Sequence, residues 1–208
     1  MQAAIGHAPH TPQPGDHDYA VTGIDSRKLG MWGFLASECL FFGALISSHL
    51  LYRSRAPEGV HIPHDVYDIP YTSVSSFVLL MSSLTMVLAL AAIQRGDQRR
   101  LRIWLCATAF LGTLFIGGQV YEFTVFTHEG LNLSSSVAAS SFFVLTGFHG
   151  VHVTVGILWL LSLVGISLRG QLPPEKHLQV EIAGLYWHFV DIVWIVIFTV
   201  VYLVPNTH

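Results

Sequence analysis

A histidine and an aspartate lie three residues apart inside a stretch that is otherwise apolar from Ile182 to Val204. As a helix, a stretch of this length crosses the hydrocarbon core of a bilayer. A carboxylate placed there costs about 2.5–3.5 kcal/mol on insertion scales, so Asp191 requires a partner or a functional role. At helical spacing, His188 and Asp191 lie on one face of the helix. We therefore expect this face to contact protein and not lipid.

Composition places the whole chain in the class of integral membrane proteins. Of its 208 residues, 52% are hydrophobic and 11% are charged, and the mean hydropathy is +0.55. Soluble domains carry about 25% charged residues. The net charge of −3 gives no indication of a nucleic-acid partner. Residues 1–26 are polar and lack the apolar segment of a signal peptide, so we predict a flexible N-terminal tail followed by one transmembrane domain over residues 27–208.

Five apolar windows are each long enough to cross a bilayer as a helix. They cover residues 29–51, 71–93, 103–126, 137–168 and 182–204. Prolines, glycines and polar residues separate them, and no internal repeat indicates an inverted-repeat transporter. The sequence therefore predicts an all-α integral membrane protein that folds as a single bundle of five transmembrane helices.

The basic residues predict the direction of these helices. Two of the ten, Arg53 and Arg55, follow the first window, and the others lie at the opposite ends of the windows. Those others are Arg27, Lys28, Arg95, Arg99, Arg100, Arg102, Arg169 and Lys176. Because basic loops stay on the cytoplasmic side, we predict that the N-terminus is inside and the C-terminus is outside.

Several ionisable side chains fall inside the windows. They are Glu38, Glu122, His149, His152, His188 and Asp191. With the predicted topology, all except Glu122 lie in the middle or inner half of the membrane, where carboxylates and imidazoles can neutralise one another. We expect the histidines at 149 and 152 to share one face of their helix, and Glu122 to be half-buried near the outer boundary.

Each of these groups has a structural and a functional interpretation. Interhelical hydrogen bonds of about 0.6 kcal/mol each would fix which helices meet, and this is the simpler explanation for His188 and Asp191. For Glu38, which has no basic neighbour on its own helix, both interpretations remain open. A metal site built from His149, His152 and a carboxylate is conceivable. Because no dense histidine motif is present, we expect no metal, no haem and no catalytic residue in this chain.

Four motifs in four different windows resemble subunit III of haem–copper terminal oxidases. They are SECLFF at 37–42, GQVYEF at 118–123, TGFHGVHV at 146–153 and YWHFVDIVW at 186–194. The motifs occur in the order of the family, and the resemblance covers residues 29–204. The chain is similar to the short bacterial form with five helices and lacks the two N-terminal helices of the seven-helix form.

The resemblance implies a non-catalytic accessory subunit of a proton-pumping oxidase in a bacterial cytoplasmic membrane. Haem and copper would then belong to the catalytic partner, and this chain would bind neither. The expected partners are oxidase subunits I and II and structural phospholipids, with a respiratory supercomplex as a further candidate. The six intramembrane ionisable residues match polar positions of the family, whose subunit III supports proton uptake.

Two molecules remain open as the electron donor of the complex, cytochrome c and quinol. Glu38 and Gln119 are similar to the cytochrome c oxidase pattern, which we favour, whereas His7, His10 and His17 are similar to the histidine-rich tail of quinol oxidases. A stand-alone transporter or channel is an alternative of another class. It is less favoured because the outer half contains few ionisable groups.

The inner side is also rich in histidine. His7, His10, His17 and His177 lie there by the predicted topology, close in sequence to acidic residues. Imidazoles beside carboxylates collect and exchange protons near neutral pH. We expect these four histidines to form a surface proton antenna.

Overall fold

The computed structural model describes residues 25–55, 69–128 and 136–203. Within them the chain forms five long helices, and all five are long and apolar enough to cross a membrane. These are α1 (Ser26–Ser54), α2 (Ile69–Gln94), α3 (Gln98–His128), α4 (Val137–Leu168) and α5 (His177–Phe198). A 3-10 turn over Pro174–Lys176 precedes α5, and a π-helical turn over Thr199–Leu203 follows it.

The predicted five-helix fold is confirmed, whereas the predicted N-in, C-out direction stays a prediction. The N-terminal tail, with His7, His10 and His17, lies outside the described residues.

Most helices begin before their apolar windows, because helical hydrogen bonding continues beyond the hydrocarbon core. α3 begins at Gln98 and α5 at His177, several residues ahead of the apolar stretches. Side-chain caps fix two other starts. Asp25 accepts the Arg27 N–H at 2.9 Å at the start of α1, and Ser136 accepts the Ala139 N–H at 3.0 Å at the start of α4.

The connection between α2 and α3 is a tight turn. Gly96 has φ +76°, a conformation that favours glycine. Its N–H donates to the Ile93 carbonyl at 3.0 Å, and the Asp97 N–H donates to the Ala92 carbonyl at 3.0 Å. This pair of bonds is a Schellman motif, which satisfies the last carbonyls of α2. α2 and α3 therefore form an antiparallel hairpin of fixed geometry.

The core is centred on the Trp187 indole of α5. Gly112 of α3 and Gly156 of α4 pack against it so closely that a Cβ on either would lie 2.6 or 2.8 Å from an indole carbon. The indole Nε1 donates to the Ser82 hydroxyl of α2 at 2.8 Å. One side chain thus positions three other helices around α5. Close helix contact at glycine is common in membrane bundles.

α1 is the most peripheral helix. It packs against α4 and α5 and has only two buried side chains among its residues, Phe42 and His49. At one end, Lys28 of α1 forms an ion pair with Glu181 of α5. At the other end, the His49 Nδ1 lies 3.0 Å from the Ser141 hydroxyl of α4. Polar contacts thus supplement the apolar packing of α1, to which Phe42, Met31, Leu35, Leu45 and Ile46 contribute.

Candidate functional site

Glu38 and His152 form an ion pair between α1 and α4. The Oε2 atom of Glu38 lies 3.2 Å from Nε2 of His152, and the two side chains are 18% and 17% exposed. The His152 Nδ1 donates to the Phe148 carbonyl at 2.8 Å, because a carbonyl can only accept. Nε2 of His152 is the ring nitrogen that faces the Glu38 carboxyl group. The pair is thus a polar contact that connects α1 with α4.

A groove of about 370 Å³ opens beside this pair. Glu38 and His152 contribute to its wall, and Phe34, Trp159 and Tyr186 provide aromatic surface. The Tyr186 hydroxyl donates to the His152 carbonyl at 2.9 Å, which anchors α5 at the same place. The groove thus combines a largely apolar lining with one acid–imidazole pair. Such a lining suits an acyl chain.

A serine connects His188 with Asp191. The Ser83 hydroxyl of α2 donates to Oδ2 of Asp191, and its oxygen lies 2.9 Å from Nδ1 of His188. Since a hydroxyl has a single proton, Nδ1 of His188 is the donor in the second contact. The Asp191 side chain is buried, as the sequence predicted. The role of Ser83 was not predicted, although the polar pair Ser82–Ser83 interrupts the second apolar window of the sequence.

Glu122 is buried, so the expectation of a half-buried side chain was wrong, whereas its position near the outer boundary stays a prediction. It is 7% exposed, and its Oε1 accepts the Thr72 hydroxyl at 2.9 Å and the Tyr202 hydroxyl at 3.0 Å. Tyr202 belongs to the π-helical turn, whose position could not be read from hydropathy. The carboxyl group of Glu122 thus connects α3 to α2 and to the end of the chain beyond α5.

The two histidines of α4 lie three residues apart, on one broad side of the helix as expected, but they contact different neighbours. His149 is fully buried and stacks on Trp194 of α5, with ring centroids 4.9 Å apart. Phe115 of α3 contacts it edge-on at 5.9 Å. Neither ring nitrogen of His149 has a hydrogen-bond partner among the described residues. Its environment is aromatic, whereas His152 lies against Glu38 and Phe42 of α1.

The intramembrane polar residues therefore form separate contacts and not one cluster. Their arrangement is a Glu38–His152 pair, a Ser83-bridged pair of His188 and Asp191, a buried Glu122 and an isolated His149. Within residues 25–55, 69–128 and 136–203, no three His, Cys, Asp or Glu side chains come close enough to share a metal ion. The expected absence of a bound metal or haem stays a prediction.

Only one of the four antenna histidines lies in the described part of the chain. His177 is exposed at the start of α5, and its Nδ1 lies 3.1 Å from the Pro174 carbonyl. The exposed Glu175 is two residues away. The antenna therefore stays a prediction.

The fold and these contacts define a polytopic membrane protein whose buried polar side chains connect neighbouring helices. Residues 10–205 match the family described as cytochrome c oxidase subunit III. The chain is 38% identical to quinol oxidase subunit 3 of Bacillus subtilis strain 168 over 198 residues, which is 95% of this chain and 96% of the relative. It is also 38% identical to cytochrome c oxidase subunit 3 of Thermostichus vulcanus over 194 residues, covering 91% and 92% of the two chains. The chain belongs to the cytochrome c oxidase subunit III family.

Family membership confirms the resemblance found in the four motifs. The chain is subunit III of a haem–copper oxidase and a multi-pass protein of a bacterial cytoplasmic membrane. It associates with the other oxidase subunits, which carry out the catalysis. A third relative is cytochrome bo(3) ubiquinol oxidase subunit 3 of Pseudomonas aeruginosa, 36% identical over 191 residues and 90% of each chain.

Proposed function

We propose that this chain stabilises the catalytic subunit of a proton-pumping cytochrome c oxidase, holds phospholipid and supports proton uptake. It does so without a redox centre of its own, since haem and copper reside in the catalytic partner. The expected partners are subunits I and II, with a respiratory supercomplex as a wider assembly. The single observation that supports this function best is the Glu38–His152 pair at the wall of an apolar groove.

The position of this pair connects lipid binding with stability. The contact between Glu38 and His152 attaches α1 to α4, beside the aromatic contacts of Phe41 with Phe148 and of Phe42 with His152. An acyl chain in the adjacent groove would cover Phe34 and Trp159 and add apolar contact between the same helices.

Cytochrome c is the donor we favour, on the basis of Glu38 and the buried Gln119. Quinol is the second candidate, and a specific observation favours it. Of the relatives described above, the B. subtilis quinol oxidase subunit has the most complete coverage, 95% of this chain. The T. vulcanus cytochrome c oxidase subunit is equally identical, at 38%. The donor must therefore be determined on the complex.

The test uses the native complex, purified with and without this chain. We expect the intact complex to oxidise reduced cytochrome c faster than quinol. Removing the chain should leave the haem spectrum and initial oxygen consumption intact but shorten the period of sustained turnover. A quinol preference would replace the first proposal with the second. An unchanged turnover lifetime would contradict the stabilising role, and purification without a haem-bearing partner would favour the stand-alone transporter.

A further inference from the structure

The hairpin of α2 and α3 contains a second groove, of about 440 Å³, which is separate from the polar contacts described above. Leu88 of α2 and Ile103 and Trp104 of α3 form its apolar part. Arg95 and Arg100 line it where the two helices are joined, together with Asp97, whose carboxylate pairs with Arg100. The groove therefore has a cationic end at the turn and an apolar part that extends toward the membrane interior.

The cationic end is held in a fixed position. Besides the Schellman motif at Gly96, the side chain of Gln98 connects the hairpin to the α4–α5 linker. Its Nε2 donates to the Leu172 carbonyl at 2.8 Å, and its Oε1 accepts the Ser167 hydroxyl at 3.1 Å. A ligand at this turn would meet a preorganised surface, which lowers the entropy cost of binding.

The charge of the turn exceeds what its internal contacts neutralise. Residues 95–102 contain four arginines and one aspartate, a net charge of +3. Asp97 pairs with Arg100 at 3.2 Å, but the Arg100 side chain remains 70% exposed. Arg95 and Arg99 are exposed, and neither has an ion-pair partner within the described part of the chain. The arginines at 99, 100 and 102 also lie in the first turns of α3, where cations oppose the helix dipole.

We propose that this groove binds one anionic phospholipid. Its phosphate would lie between the exposed Arg95 and Arg100 side chains. The N-terminus of α3 itself is capped by Asp97, whose Oδ1 accepts the Arg100 N–H. An acyl chain would extend along Leu88, Ile103 and Trp104. Guanidinium groups bind phosphate through two parallel hydrogen bonds, and a tryptophan at the membrane boundary is well placed beside a headgroup. The proposal rests on the chain being a membrane-spanning oxidase subunit and is independent of the electron donor.

Native mass spectrometry of the purified, delipidated oxidase complex tests the site. The complex is titrated with phosphatidylglycerol or with phosphatidylcholine of the same acyl chains, and bound lipids are counted. We expect one phosphatidylglycerol site of the wild type to weaken about 25-fold in R95Q/R100Q, since each arginine removed costs about fivefold. R95K/R100K should weaken less, because lysine retains the charge but not the bidentate geometry. R169Q removes an exposed arginine outside the groove and serves as the matched control.

Three outcomes would overturn the proposal. The first is an equal affinity for phosphatidylglycerol in the wild type and both double variants. The second is wild-type binding of phosphatidylcholine as tight as that of phosphatidylglycerol. The third is loss of another oxidase subunit from R95Q/R100Q with the lipid count unchanged, which would show that the arginines contact protein. The lysine variant retains the charges that direct insertion, so its lipid count remains informative if the glutamine variant does not assemble.

Discussion

At the scale of single residues, each polar side chain of the membrane-spanning helices contacts a particular neighbouring helix. His149, Asp191 and Glu122 are buried in the bundle, and Glu38 lies at the wall of the groove. Residues three positions apart differ by about 60° around a helix axis. That difference directs His149 toward the aromatic rings of α3 and α5 and His152 toward α1. It also explains why the Ser83 hydroxyl of another helix lies between His188 and Asp191. Contacts between helices depend on tertiary packing, which a single sequence does not specify.

The different environments of the two α4 histidines predict different costs for the same substitution. His149→Phe keeps the ring stacked on Trp194 and removes no hydrogen bond to a described residue, so assembly and thermal stability should be retained. His152→Phe leaves Glu38 without its partner in a largely buried position, which should cost about 1–3 kcal/mol. Blue-native gel yield and thermal unfolding of the complex measure both effects. Equal losses in the two variants would contradict these assignments.

At the scale of the helices, hydropathy predicted the number of elements but not their ends or their packing. The apolar windows mark the hydrocarbon core, whereas the helices extend until a capping side chain or a positive-φ glycine ends them. Asp97 illustrates the point, since it closes the turn after α2 and accepts the Arg100 N–H of α3 at 3.0 Å. The peripheral position of α1 was also not predicted, because its hydropathy resembles that of its neighbours.

The close contacts of Trp187 with Gly112 and Gly156 predict that neither position can accommodate an added methyl group without a loss of stability. In a helix, alanine is more favourable than glycine by about 1 kcal/mol. Packing around the new methyl group therefore decides whether a Gly→Ala substitution stabilises or destabilises the protein. At Gly156 the new Cβ would lie 2.8 Å from an indole carbon, and we expect a net destabilisation of about 1–3 kcal/mol. Gly165→Ala, on the same helix with no heavy atom within 4 Å, should be neutral or stabilising.

Thermal unfolding of the complex with each variant measures the difference. Gly112→Ala tests the same indole from α3, where the Cβ would approach to 2.6 Å, and should be at least as destabilising. If Gly156→Ala proved as stable as Gly165→Ala, the indole would have room to move. The close packing of α3, α4 and α5 around Trp187 would then not limit stability.

At the scale of the whole molecule, the structure gathers the basic segments at one end of the bundle. Lys28 at the start of α1 pairs with Glu181 of α5, and Pro174 of the α4–α5 linker packs against Gly96 of the α2–α3 turn. The positions of the basic residues in the sequence predicted that these segments share one end of the bundle. Consecutive membrane-spanning helices run in opposite directions, so every second connection lies on the same side. Its assignment to the cytoplasmic side rests on the positive-inside rule.

By the predicted topology, the proposed proton antenna lies on the same side of the membrane. Its loss should produce a milder form of the defect expected when the whole chain is removed. Replacing His7, His10, His17 and His177 by glutamine removes groups that exchange protons near neutral pH and leaves neighbouring carboxylates such as Glu175 in place. Free protons become scarce as the pH rises, so a surface that collects them matters most there. Oxygen consumption by the variant should therefore fall below that of the wild type above neutral pH, with matching rates at acidic pH and an unchanged haem spectrum.

His128→Gln changes an exposed histidine at the opposite end of α3 and should leave the pH profile unaltered. Identical profiles for the fourfold variant and the wild type would leave this end of the molecule with a purely structural role.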